Sequence, residues 1–322
     1  MKRVDIIKTL DCARRIVLPF AAAVACSGGS SSGGGNPIAP PPGPVLPSTF
    51  AGKIVFQRGG VGLMVMNADG SGVAPLGVVG HTPDISPDGR RLAYTNNRDL
   101  RVLDLTTGRD ALLASGGTNQ SAKWSPDGTR ILFWSDRTGV KQIYVANADG
   151  TSPRALTSGA GEHHEGDWSP DGTRIAFRRV GEGDTAGDIW VMNADGTGQA
   201  RLVALAGQQT NPDWSPDGSR IAFDSIVRDV PGGPANVEIF VVNADGTNLV
   251  RATTTATADW APRWSPDGTR IAFFGYPTAA DGINILAGAD SDIYTVRADG
   301  TGLAPFLAGP TADETLAFGP RP

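Results

Sequence analysis

The chain has 322 residues, a formal net charge of −5, 43 glycines and 24 prolines. A turn-rich, aromatic-poor composition favours many short strands over helices. The absence of any basic or aromatic-interleaved Lys/Arg stripe argues against nucleic acid as a partner. Its two cysteines, Cys12 and Cys26, lie near the start, so no disulfide framework holds the body together.

The first residues are basic, with Lys2, Arg3, Lys8, Arg14 and Arg15. An apolar run from Ile16 to Ala25 follows, too short to span a bilayer as a helix and suited to an export signal. It ends in Ala23-Val24-Ala25-Cys26. This resembles a bacterial lipobox, which implies cleavage after residue 25, acylation of Cys26 and a membrane anchor. Residues 1–25 are accordingly expected to be a lipoprotein-type signal peptide. Residues 26–49 are rich in Gly, Ser and Pro, including Pro40-Pro41-Pro42-Gly43-Pro44, and read as a tether. Residues 50–322 form the folded domain.

Two phrases alternate through that domain. Trp-Ser-Pro-Asp-Gly-Thr-Arg-Ile runs from Trp124 to Ile131 and returns at Trp168, Trp214 (with Ser219 for Thr) and Trp264; Ile85 begins a weaker copy. Asn-Ala-Asp-Gly begins at Asn67, Asn147, Asn193 and Asn243, with looser versions at Asp104 and Arg297. The stretch from Asp167 to Leu205 shows why each unit is a four-stranded antiparallel meander. Trp168 ends one strand, and Ser169-Pro170-Asp171-Gly172 has the chemistry of a tight turn. Arg174-Ile175-Ala176-Phe177 alternates as a second strand and Asp188 to Met192 makes a third. Asn193 to Gly196 turns again, into a fourth strand over Gln199 to Leu205. One such sheet leaves both faces uncovered, and radial stacking covers them.

The second phrase occurs six times and the first five times. Phe318-Gly319-Pro320 stands where a sixth Trp-Ser-Pro belongs, and Gly52-Lys53-Ile54-Val55-Phe56 looks like the strand that should follow it. The expected fold is therefore all-β: a six-bladed β-propeller of four-stranded antiparallel blades, closed by the C-terminal strand joining the N-terminal blade. The phrases resemble the TolB-type β-propeller repeat, over about residues 52–319. The small domain expected before a TolB propeller is replaced here by the tether. Related propellers also precede peptidase domains, but Gly-x-Ser-x-Gly occurs only in the tether, at Gly29 to Gly33, outside any strand–turn–helix setting.

In such blades the repeated phrases share one face of the disc. The variable loops, Gly181 to Gly187, Ser225 to Val237 and Gly275 to Asp292, share the other, where binding is expected. The blade entries lie on the variable face too. Four residues before each Trp position stand His81, Gln120, His164, Thr210, Trp260 and Glu314; one earlier stand Gly80, Asn119, His163, Gln209, Asp259 and Asp313. The candidate binding rim is His81, Gln120, His163, His164, Thr210, Asp259, Trp260, Asp313 and Glu314. Solvated rim residues of a water-filled pore are the plain alternative. His163-His164-Glu165 has no recognised metal-ligand spacing, so no metal and no cofactor are expected. The four tryptophans are expected to wedge between blades, Asp127, Asp171, Asp217 and Asp267 to lock turns, and Arg130, Arg174, Arg220 and Arg270 to pair or stack locally.

The reading that follows is a non-enzymatic, exported, lipid-anchored monomer. It sits in the periplasm, at the outer membrane or at the cell surface, and binds an envelope protein, peptide or glycan at its variable face. The alternative is a metal-dependent polysaccharide lyase or hydrolase at the channel mouth. Some oligogalacturonate lyases resemble this repeat type.

Overall fold

A computed structural model describes residue 47 and residues 50–320, apart from residues 60, 183–185, 204, 230–234, 278–290 and 308–312. The expected signal peptide, Cys26 and nearly all of the expected tether lie outside the described residues. The domain consists of six four-stranded sheets. All pairings within them are antiparallel, as in blade 4, where Glu162–Trp168, Arg174–Val180, Gly187–Asn193 and Ala200–Arg201 follow one another. The expectation of a six-bladed all-β propeller holds. The fourth strand is shorter than expected: Ala200–Arg201 replaces the stretch from Gln199 to Leu205. Beyond that pair the Leu202 N–H still donates to Ile189 O of the third strand, at 2.8 Å.

The first strand of each blade touches the first strands of its neighbours, so these six surround the axis. In blades 1 to 6 they are Asp313–Phe318, His81–Ile85, Asn119–Trp124, Glu162–Trp168, Gln209–Trp214 and Thr257–Trp264. Blade 1 is built from both ends of the domain, because Asp313–Phe318 pairs with Lys53–Arg58. The termini even rebuild the missing turn. In blade 3 the Ser125 N–H donates to Arg130 O and the Ala148 N–H to Thr129 O. In blade 1 the Gly319 N–H donates to Lys53 O, at 2.7 Å, and the Ala68 N–H to Gly52 O. Hydrogen bonds thus replace a covalent turn, and the ring has no open inner edge.

Each hydrophobic cluster spans two blades rather than lying within one. Ala93, Leu100 and Val102 of blade 2 pack with Trp124, Ile131 and Phe133 of blade 3. Equivalent clusters fill the other seams, and the last joins Ala272, Phe274 and Ile293 of blade 6 to Ile54, Phe56 and Leu316 of blade 1. The tryptophans do wedge between blades. The expected arginines divide. Arg270 bonds within its own blade, to Thr295 and Gly302, as expected. The other three stack on the tryptophan of the next blade: Arg130 over Trp168 at 4.8 Å, Arg174 over Trp214 at 5.5 Å and Arg220 over Trp264 at 4.7 Å, with Arg91 over Trp124 at 4.3 Å doing likewise. The blade sequence places the guanidinium at the start of a second strand, facing the neighbour's indole, where cation–π attraction adds to area burial.

The aspartates lock turns as expected. Ser125 Oγ donates to Asp127 Oδ1 at 2.5 Å, and the Thr129 N–H donates to the same oxygen at 3.0 Å. The same pattern holds at Asp171, Asp217 and Asp267. The hydroxyl bond from Ser125, with the other donors, holds the Asp127 carboxyl down at about 2.

Candidate functional site: the channel mouth

The variable-face end of each inner strand carries the same distortion. In blade 4, His164 pairs with Arg178 and Asp167 with Ala176, so Glu165 and Gly166 face one residue of the partner strand. That is a β-bulge. Blades 2, 3, 5 and 6 repeat it, and blade 1 shifts register at the equivalent place. The first bulged residue is left-handed in all six: Thr82 (φ 48°), Ser121 (55°), Glu165 (53°), Asn211 (52°), Ala261 (53°) and Thr315 (42°). None is glycine. Left-handed backbone is unfavourable for such residues, by about 1–3 kcal/mol each, and most so for threonine. All six are only partly buried.

The bulges are tied together across the blades. The Thr82 N–H donates to Thr315 Oγ1 at 3.1 Å, from blade 2 to blade 1. The Asn211 N–H donates to Glu165 Oε2 at 3.1 Å, and the Ala261 N–H to Asp224 Oδ2 at 3.0 Å. Asp224 also accepts from the Thr210 hydroxyl and from Asn211 Nδ2. Burial is the main influence on its carboxyl and raises it to about 6, although all three donors pull the other way.

The expected rim residues flank the bulges, and the structure divides them. His81, Gln120 and Trp260 are half-buried, next to the bulged residue of their blades. His163, His164, Thr210 and Asp259 are buried, as are Asn119 and Gln209. Asp313 and Glu314 lie in the inner strand of blade 1, at the equivalent place. The three histidines do not converge. His81 is in blade 2, while His163 and His164 share blade 4. His163 packs against Phe177 and is pushed down to about 4, chiefly by burial and next by Arg179. His164 contacts Trp134 and lies 3.1 Å from Glu162 through Nε2; burial lowers it too, against the Glu162 hydrogen bond. Burial favours the uncharged form of both imidazoles. Asp259 accepts from the Thr255 and Thr257 hydroxyls, and burial raises it to about 7. Among the described residues no three His, Cys, Asp or Glu side chains gather as metal ligands.

Sequence reasoning missed the bulged residues by one position. No composition signal marks them, since Thr, Ser, Glu, Asn, Ala and Thr share no chemistry. It also missed a ring deeper along the inner strands, at the residue before each Trp position: Asp84, Lys123, Asp167, Asp213, Arg263 and Ala317 in blades 2, 3, 4, 5, 6 and 1. Lys123 pairs with Asp84 at 3.0 Å, and Arg263 with Asp213 at 2.8 Å. Three of the carboxylates also receive a backbone N–H from a neighbouring blade: Trp124 onto Asp84, Trp214 onto Asp167 and Trp264 onto Asp213. Burial, and then the Asp213 carboxylate, push Asp167 up. The signal was available in Asp-Trp, Lys-Trp and Arg-Trp at a fixed place in the repeat.

The arrangement is a rigid ring carrying a varied set of polar groups at its mouth and charge pairs below. Comparison with known proteins agrees on the type of propeller. Residues 48–187 match the TolB beta propeller domain family. A TolB homolog from Chlorobaculum tepidum is 30% identical over 120 residues, 34% of this chain and 28% of that protein. The chain spans about a quarter of the length of the curated relatives it matches. Among solved structures, a putative TolB from Agrobacterium tumefaciens has a TM-score of 0.64 at 25% identity, covering 81% of this chain and 90% of that one. TolB from Acinetobacter baumannii has a TM-score of 0.65 at 19% identity, covering 86% and 68%. An oligogalacturonate lyase in complex with manganese has a TM-score of 0.54 at 16% identity, covering 76% and 69%, a likeness of fold alone. In repeat and in fold alike, this chain is similar to the TolB-type propellers.

Proposed function

We propose that this chain is an exported, lipid-anchored, non-enzymatic propeller of the cell envelope that holds a protein, peptide or glycan at its variable face. The observation that carries this reading is the sixfold ring of strained bulges. It keeps one backbone geometry while changing the side chain from blade to blade, through Thr82, Ser121, Glu165, Asn211, Ala261 and Thr315. Strain repeated at one end of a channel is what a rigid binding rim needs. The opposite face is occupied by turns whose polar groups bond within their own phrases. The likeness to TolB propellers supports the envelope setting. The binding set is the proposed rim, His81, Gln120, His163, His164, Thr210, Asp259, Trp260, Asp313 and Glu314, together with the bulged residues between them. The buried members act by positioning the exposed ones.

The test is capture from envelope extract by the purified protein. Glu165→Ala with Trp260→Ala should weaken capture of a specific partner at least about tenfold, or about 1.4 kcal/mol. Capture unchanged in the double variant counts against this rim. Replacing Cys26 by Ala should release the protein from the membrane fraction, and unchanged partitioning defeats the anchor. The lyase reading rests on the fold likeness to the manganese-bound enzyme. Metal analysis of purified protein, with and without chelator, separates it from the binding reading.

A further inference from the structure

Four of the six seams are closed by the same plug, a tryptophan lying under the arginine of the preceding blade. The two seams that flank blade 1 lack it. Between blades 1 and 2 the Trp position is Ile85, and the loss is made good by Phe50, which is fully buried beside Ile85 and hydrogen-bonds through its N–H to Gly89 O. Between blades 6 and 1 the Trp position is Phe318, only partly buried, with Phe306 and Leu307 also partly buried against the same cluster. Arg270, which the repeat would place over that ring, is held within its own blade instead. Its Nε donates to Thr295 Oγ1 at 2.9 Å and its Nη2 to Gly302 O. The result is a cavity of about 420 Å³ on the constant face. Its walls include Phe306, Phe318, Pro266 and Pro320, with Lys53 and Arg270 as cations. The acid at its edge, Asp267, is engaged by Ser265 and Thr269.

We propose that this seam is a binding site for a small aromatic anion, an arylacetate-type carboxylate whose ring takes the place an indole has in the four regular seams. The ring would lie among the phenylalanines and prolines, and the carboxylate would meet Lys53 and Arg270. The volume lies within the range of small-ligand sites, roughly 300–1,000 Å³. The apolar walls with a few polar groups at one side suit such a ligand. The site lies on the opposite face from the channel mouth and does not depend on the function proposed there.

The test is titration of the full chain with indole-3-acetate, followed by calorimetry and ligand-observed NMR, with tryptamine as the oppositely charged comparison. Saturable binding at one site is expected, with tryptamine at least about tenfold weaker, which converts to about 1.4 kcal/mol. Phe318→Trp restores the regular plug and should abolish binding while leaving the strand signature in circular dichroism intact. Should that variant fold poorly, Arg270→Gln and Lys53→Gln decide, each expected to weaken indole-3-acetate about tenfold and to remove the preference over tryptamine. Absence of saturable binding to the unaltered protein overturns the proposal. So does binding that survives Phe318→Trp, or that is indifferent to ligand charge in the unaltered protein.

Discussion

Single residues show most directly what this fold tolerates and why. Asp224 is buried beneath the channel mouth, and its carboxyl is raised to about 6, whereas an unfolded aspartate titrates near about 4. The sign follows from which state holds the proton more tightly. Between about pH 4 and pH 6 the folded chain binds more of it, so stability falls as pH rises through that window and then levels off. Asn at this position keeps an acceptor for the Ala261 backbone N–H and for Asn211 Nδ2, and donates to the Thr210 hydroxyl. Asp224→Asn is therefore expected to match the parent near pH 4 and exceed it by about 1–3 kcal/mol at pH 7.5, read from urea melts at both values. Ala261 tests the bulge separately. Its left-handed backbone, φ 53°, suits glycine, and Ala261→Gly should raise stability by about 0.5–1 kcal/mol in thermal denaturation. A loss of stability would mean that the methyl group packs more than the backbone strains.

At the scale of one element, the inner strand and the turn after it do two jobs, and only one was legible in the sequence. Trp-Ser-Pro-Asp-Gly announces a turn because each residue has a local reason to be there, and the Ser125–Asp127 lock needs no distant partner. Local chemistry of that kind can be read along a chain. The Arg–Trp stack cannot, because Arg130 meets Trp168 across a seam, and the repeat gives position within a blade but not which side chain faces which neighbour. The bulges were hidden for a related reason. Residues as different as Glu165 and Ala261 adopt one conformation, so the cause lies in the register of paired strands and the geometry of the ring. The His163–His164 pair was legible as polar chemistry at the mouth, whereas its burial against Phe177 and Trp134 was not. The stack also sets the scale of a substitution. Arg130→Ala should cost about 1 kcal/mol, from lost cation–π attraction and stem packing, while Trp168→Ala, which empties the seam, should cost about 3–5 kcal/mol. Chemical denaturation of both variants checks the ratio.

The whole molecule is a closed circuit, and its stability differs in kind from that of a linear repeat array. In an open array, end units fray first because each has one neighbour. Here every blade has two, since hydrophobic clusters join blade 6 to blade 1 and blade 1 to blade 2, even with a cavity at the constant-face end of the former seam. Blade 1 is the place to look for a weak point, because its inner strand is held only by hydrogen bonds and packing. Against that, Ile54, Val55 and Phe56 are at most 1% exposed, and Leu316 is 2% exposed on the strand that fastens them. Releasing that strand opens two seams at once and bares the edge of Lys53–Arg58. Local opening of blade 1 is thus nearly as costly as global unfolding. The amides of Ile54 to Phe56 should exchange with solvent at about the rate of those of Ile131 to Phe133 in blade 3 and should respond to denaturant with the same slope. Leu316→Ala, a substitution costing about 2–5 kcal/mol, should break that equality. Exchange in blade 1 would then run ahead of blade 3, because the fastener has been weakened more than the ring it closes. Early exchange of blade 1 in the unaltered protein would mean that the ring opens at its join without unfolding, and that the circuit is a latch.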